Sequence, residues 1–361
     1  MISERDIREL LDAGLIDEAA AESIRAYTNQ RYADRPRFDI THVAYYFGAL
    51  IVALAFTWLI FEGYDRYGGE ALMMIAPAYA VLLVLGGNWL WSRPGLKQAG
   101  GLLFTLALCM VPVAVYGFEE FMGWYPVLVG SLDGVPSEAE RMQFMRQVNW
   151  ANIWIALATV VVGIAAMPLR RFAFMAVVPI IAFHQLWLAI MTFMVGGHAS
   201  DWDITTHLML SGLFVVMVGY LVDRRTREDF AFWLYGIGVA HFWIGMTGFS
   251  DKDELAWAAY ALVGLLLVVV SLLLQRRVFM VAGALSLFVY LGHLGFETFE
   301  DSLLFPFVLS FVGLAIIAVA VWYQKHKQRV EAAVTGALPE AVKRRLPSAR
   351  TQPGPDEKSR P

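Results

Sequence analysis

Charge is scarce in this sequence, and cysteine nearly absent. Of its 361 residues, 17% are charged and 58% hydrophobic, against about 25% and about 45–50% in soluble domains. The single cysteine, Cys109, excludes an internal disulfide and a cysteine-based zinc site. It lies in an apolar run and reads as a small buried hydrophobe rather than a reactive thiol. Phosphate loop, dinucleotide fingerprint, zinc-protease helix and nucleophile elbow are all missing. The sequence therefore offers no catalytic residues, argues against an enzyme and implies no cofactor. A net charge of −4 gives no footprint for nucleic acid. No short apolar stretch near the start ends in a small-residue cleavage site, so the first apolar segment is expected to act as its own uncleaved targeting signal.

What the chain has is length in apolar runs. Segments of roughly twenty residues alternate with short charged clusters, the length a helix needs to cross about 30 Å of hydrocarbon. Spans are expected at 41–61, 71–91, 99–118, 149–168, 172–196, 204–222, 231–249, 256–275, 278–296 and 302–323. Trp89, Trp91, Trp150, Trp154, Trp233, Trp257, Trp322 and Tyr323 stand near span ends, where amphipathic rings favour the headgroup level. Basic residues follow alternate spans: Arg93 and Lys97, Arg170 and Arg171, Arg224 to Arg227, Arg276 and Arg277, then Lys325 to Arg329. The intervening connections carry acids, among them Glu62, Glu119, Asp201, Asp203, Asp253 and Glu254, with Arg66, Arg141, Arg146 and Lys252 as the basic exceptions. Short basic loops stay cytoplasmic, which places both ends inside. The fold class is an all-α polytopic bundle of about ten spans.

Three domains follow: a cytoplasmic helical hairpin at 1–40, the bundle at 41–323, and a basic, partly disordered tail at 324–361. In the hairpin, Ser3 and Asp6 resemble a capping box, Gly14 suits a helix end, and Asp17 can cap a second helix. More acids than bases there argue against DNA binding, and a partner-docking role fits better. In the long connection at 119–148, Pro136, Ser137 and Glu138 look like a helix start. Met142, Met145 and Val148 then share a face, as in a short helix lying on the outer membrane surface.

No Asp, Glu, Lys or Arg sits at the centre of a proposed span, which weighs against an ion-driven pump. Histidine is the polar residue that remains. His184, His207, His241 and His293 lie in the outer half of their spans when counted at 1.5 Å per residue from the basic ends. Gly238, His241, Gly245 and Gly248 share one helical face, and Ser286, Tyr290, His293 and Glu297 share another. A candidate ligand cavity is accordingly lined by His184, His241, His293, Tyr290, Glu119 and Glu297. It would take a polar solute, a proton or a metal ion, whose identity the pattern leaves open. The plainer alternative is that each histidine hydrogen-bonds between helices. Gly117-Phe118-Glu119-Glu120-Phe121 and Gly295-Phe296-Glu297-Thr298-Phe299 read alike, as duplicated hairpins would, although shared topology also produces such echoes.

The stretch from Leu10-Leu11-Asp12-Ala13-Gly14-Leu15-Ile16-Asp17 to Ile24 resembles the start of a group of predicted bacterial membrane proteins, the domain of unknown function 2157 family. The resemblance continues in a glycine-containing first span, Phe47-Gly48-Ala49-Leu50. It implies a bacterial inner-membrane protein with a short cytoplasmic hairpin followed by many spans, and carries no site residues. Three functions remain in view: a carrier or binding protein for a small solute, ion or lipid component; a non-catalytic scaffold that docks a protein partner through its cytoplasmic ends; and an envelope enzyme acting on a lipid-linked substrate. The bilayer itself is the one partner common to all three.

Overall fold

The computed structural model describes residues 7, 10–24, 40–126, 138–195, 200–226, 229–249 and 252–295, with single positions between 307 and 326. All regular structure among these residues is helical. Seven helices are long and apolar enough to cross a membrane, and an eighth apolar helix is shorter. The chain divides into two compact units, Met1–Trp124 and Tyr125–Pro361. Most of the expected tenth span, the tail after it, and Glu297 lie outside the described residues, as does 127–137 of the long connection.

In the first unit, Asp17 accepts a 2.7 Å hydrogen bond from the Ala20 amide and so caps the helix that follows it. Gly14 has φ 66°, and the Gly14 and Leu15 amides close back on Leu11 and Leu10. Ile7 and Ala21 are buried. Helix α1 then runs Ile40–Trp91, 52 residues, with a break at Gly68 (φ 62°, ψ −151°). That backbone conformation is costly for any residue with a Cβ, so glycine is required there. The break reverses the chain. Phe56 and Tyr79, on opposite sides of Gly68, have ring centroids 4.2 Å apart, whereas a straight helix would separate them by about 34 Å. The two arms of α1 thus correspond to the stretches 41–61 and 71–91. Helix α2, Lys97–Phe121, packs back against α1, and Phe56, Ala76, Leu83, Ala107 and Met110 form their shared core.

The second unit contains α3 (Glu138–Ala166), a 3-10 turn (Ala173–Ala176), α4 (Val177–Met194), α5 (Asp201–Asp223), α6 (Phe230–Gly248), α7 (Glu254–Leu274) and α8 (Arg277–His293). The helix expected on the outer surface is absent as a separate element. Glu138 does begin a helix, but α3 continues unbroken for 29 residues into the span. No proline interrupts it, and Gly163 is its one glycine, so nothing in the sequence ends it early. The closest packing is between consecutive helices, α3 with α4, α5 with α6, and α7 with α8. At α5–α6 the backbones nearly touch. A Cβ added at Gly245 would lie 2.5 Å from the Met209 amide nitrogen, and one at Gly238 would lie 3.0 Å from the Gly212 carbonyl oxygen. Small residues at the crossing permit this approach.

The starts of α5 and α7 are capped by acids. Ser200 and Asp203 form a reciprocal capping box, and Asp253 accepts a 2.8 Å bond from the Ala256 amide. At the opposite end of the unit, Arg276 joins three helices. Its guanidinium donates to Asp223 at the end of α5 (2.5 and 3.2 Å) and to Asp229 before α6 (2.8 Å). Burial opposes the charge on Arg276, and the bonds and attraction from Asp223 and Asp229 outweigh it, raising its pKa.

Polarity is distributed as a lipid solvent demands. Buried side chains include Thr105, Glu119, Thr159, His184, His207, Ser211 and Ser286, while Trp58, Leu54, Phe61, Leu213, Leu265 and Phe288 are exposed. In water so much exposed apolar surface would drive aggregation. In hydrocarbon it is the solvated face, and the buried hydroxyls of Thr105, Thr159 and Ser286 donate to carbonyls of their own helices.

Candidate functional site

Helices α4, α5 and α6 bring three of the chain's histidines together. His184 on α4 and His241 on α6 stack face to face, with ring centroids 3.6 Å apart and planes within 4°. His184 Nδ1 is 2.9 Å from Ser211 Oγ on α5. His207, one turn before Ser211, is close enough to both rings to interact electrostatically. The close α5–α6 crossing creates this cluster, because Gly212, Gly238 and Gly245 let the histidine-bearing faces meet without intervening side chains.

Hydrogen bonding fixes part of the chemistry. His241 Nδ1 lies 3.0 Å from the Ile237 carbonyl, which only accepts, so that nitrogen carries the proton and donates. Ser211 Oγ donates to the Leu208 carbonyl at 3.4 Å, leaving its lone pairs for a proton on His184 Nδ1. His184 Nε2 and His207 Nδ1 are buried with no hydrogen-bond partner among the described residues. No group of three or more His, Cys, Asp or Glu side chains among those residues is arranged to hold a metal ion.

The other candidate residues are placed elsewhere. His293, on α8, stacks on Trp257 of α7 at 4.1 Å and 11°. Its Nε2 stands 3.6 Å from Glu254 Oε1, within ion-pair range but beyond hydrogen-bond length. Tyr290 sits one turn back, its ring centroid 6.5 Å from that of His293. Beside them, Tyr260 donates to Thr247 Oγ1 at 2.9 Å, since the Thr247 hydroxyl proton goes to the Trp243 carbonyl. Lys252 donates to the Thr247 carbonyl at 2.7 Å and to that of Phe249, closing the end of α6. Burial pulls its ammonium below the usual lysine value. Glu119 belongs to the first unit, where it is buried and its Oε2 has no hydrogen-bond partner among the described residues.

The pattern of residues missed an apolar cavity in the second unit. A cavity of about 770 Å³ lies between the end of α3, the 3-10 turn, α4, α5 and the start of α6. Its walls are apolar, with Ile164, Met167, Ile180, Val218, Phe230 and Leu234 prominent. Phe183 and Phe214 stack at 5.2 Å at one end, and Arg171 and Arg225 stand at the other. Small-molecule pockets span about 300–1,000 Å³, so the volume suits an organic ligand rather than an ion. No sequence signal marked it; beside the cavity, the Pro179 ring of α4 lies against Gly163, the one glycine of α3. Compared with known proteins, the chain matches no family model, no curated protein and no solved structure.

Proposed function

We propose that this chain is an inner-membrane protein of about ten spans, with both ends cytoplasmic, that binds or carries a lipid component of its own bilayer. The observation that carries this reading is the apolar cavity of about 770 Å³ among α3, α4, α5 and α6. From Phe214 to Val222 its wall follows about 12 Å of α5, close to the depth of one leaflet, about 15 Å. A cavity so lined suits an acyl chain and repels a hydrated solute. The basic loops and the doubled-back α1 support the topology, and the likeness of residues 10–24 to the domain of unknown function 2157 group supports the same organisation. Leu15, well exposed in that stretch, is the point at which the hairpin would meet a protein partner.

Extraction of the purified protein tests the reading. After exhaustive detergent exchange, the wild type should retain about one phospholipid per chain, and Val218→Trp, which fills the cavity, should retain none. Equal retention by both would overturn it. A second reading, a polar solute held by His184 and His207, is favoured by their two unpartnered ring nitrogens. It predicts that His184→Ala with His207→Ala abolishes ligand binding while lipid retention stays intact.

A further inference from the structure

The apolar cavity ends at a wall of rings. Along α4 and α6 the numbering runs away from the connections at 169–172 and 224–226, and along α3 and α5 it runs toward them. The lining residues deepest in the bundle are therefore Val160, Phe183, Phe214 and Leu234, one from each helix. Two of them close the bore. The rings of Phe183 and Phe214 stack with centroids 5.2 Å apart and an interplanar angle of 21°. One turn deeper on α4, Trp187 stands 5.9 Å from Phe183 and 6.1 Å from Phe214. Immediately past the stack, His184 Nδ1 and Ser211 Oγ meet at 2.9 Å and tie α4 to α5. Phe214 lies about 14 Å along α5 from its last residue, Asp223, close to the depth of one leaflet, about 15 Å.

From this wall we infer that the cavity selects its lipid by acyl-chain length, Phe183 and Phe214 setting the longest chain that fits. The inference rests on the lipid-binding reading above and adds the class of lipid chosen, one whose chain ends at the stack. Apolar walls alone do not select, because surrounding lipid tails are as apolar as they are. Shape does. A chain that stops short leaves a void against the rings, and one that is too long must force them from their rotamers. The wall resists that push, since Trp187 backs both rings and the His184–Ser211 bond holds their helices together. A headgroup finds no water at the stacked end, so it lies at the end where the connections are.

The test uses the full-length chain in detergent. It is offered an excess of phosphatidylglycerols in equal amounts, with decanoyl, lauroyl, myristoyl, palmitoyl or stearoyl chains, and bound lipid is counted by native mass spectrometry. The wild type should show an optimum below stearoyl and hold the stearoyl lipid about tenfold less than that optimum, the scale of an overpacking misfit. Phe214→Ala removes one ring of the wall and should move the optimum up by about two to four carbons. Phe183→Leu, a milder change, should move it the same way by less. Val160→Phe adds a ring at the same depth and should move it down. Melting temperatures show which variants keep the fold, and Phe183→Leu and Val160→Phe decide if Phe214→Ala does not. Even retention across the series by the wild type, or an optimum that stays put in every folded variant, overturns the length selection and leaves the lipid-binding reading standing. No retention of any lipid by the wild type overturns both, as does an unaltered profile in Val218→Trp, whose indole fills the bore.

Discussion

Phe56 and Tyr79 meet edge to face, at 4.2 Å and 77°, although they lie on one helix with Gly68 between them. Their contact depends on a single residue with a backbone conformation that side chains disfavour. Gly68→Ala should therefore lower the stability of the first unit by about 1–3 kcal/mol. Gly48→Ala, at a position with open space around it, is the control and should change little. Thermal unfolding in detergent, followed by tryptophan fluorescence, checks the pair.

The α5–α6 crossing makes a second expectation. Gly245→Ala places a methyl 2.5 Å from the Met209 nitrogen, against backbone that cannot swing aside. The helices must separate, at a cost of about 1–3 kcal/mol. Gly236→Ala on the same helix meets nothing within 4 Å and should be neutral. Both variants can be ranked by their midpoints in a detergent melt.

Arg276 holds residues 47 and 53 positions away in sequence. Arg276→Ala leaves Asp223 buried and uncompensated, and should cost about 3 kcal/mol. Arg276→Lys keeps the charge but loses the fork that engages both carboxylates, so it should recover only part of the loss. Resistance to unfolding in a series of increasing SDS fractions measures the order. Equal stability of wild type and alanine variant would mean that the clasp contributes nothing.

The histidine cluster separates a packing role from a binding role. Ser211→Ala strips His184 Nδ1 of its partner and should destabilise by about 1–3 kcal/mol, the cost of an unsatisfied buried group. Combining it with His184→Phe removes the stranded nitrogen as well, so the double variant should be no worse than the single one. A double-mutant cycle on unfolding midpoints reads this coupling directly. Additive losses would show that the 2.9 Å contact between them carries no energy.

Loop charge and apolar length made the helices legible in the sequence, because both are local properties. The ends found for α2 and α4 to α8 lie within a few residues of those expected. Three of the four exceptions to the charge pattern have local duties that spacing alone does not reveal. Lys252 closes the carbonyl end of α6, Arg66 pairs with Glu62 one turn away, and Arg146 lies over the Phe193 ring at 5.1 Å. Asp203 and Asp253, read only as loop charge, are helix caps. The three-helix grip of Arg276 was not legible, since no periodicity announces contacts between distant connections. For the candidate site, the pairing of His184 with His241 was within reach because the glycine stripe marked the face of α6 that approaches a neighbour. The partner serine on α5 and the cavity at the other end of those helices depend on how three helices cross, which a single sequence does not encode in any repeating pattern.

The reversal at Gly68 also bears on how the protein is made. Its two arms are joined with almost no connecting loop, so the second has no slack with which to wait for the first. An arm left alone in the bilayer would also lack the packing of Phe56 on Tyr79. The arms are therefore expected to enter the membrane as a pair, and a ribosome stalled before residue 91 would hold a chain whose first crossing has not yet been committed.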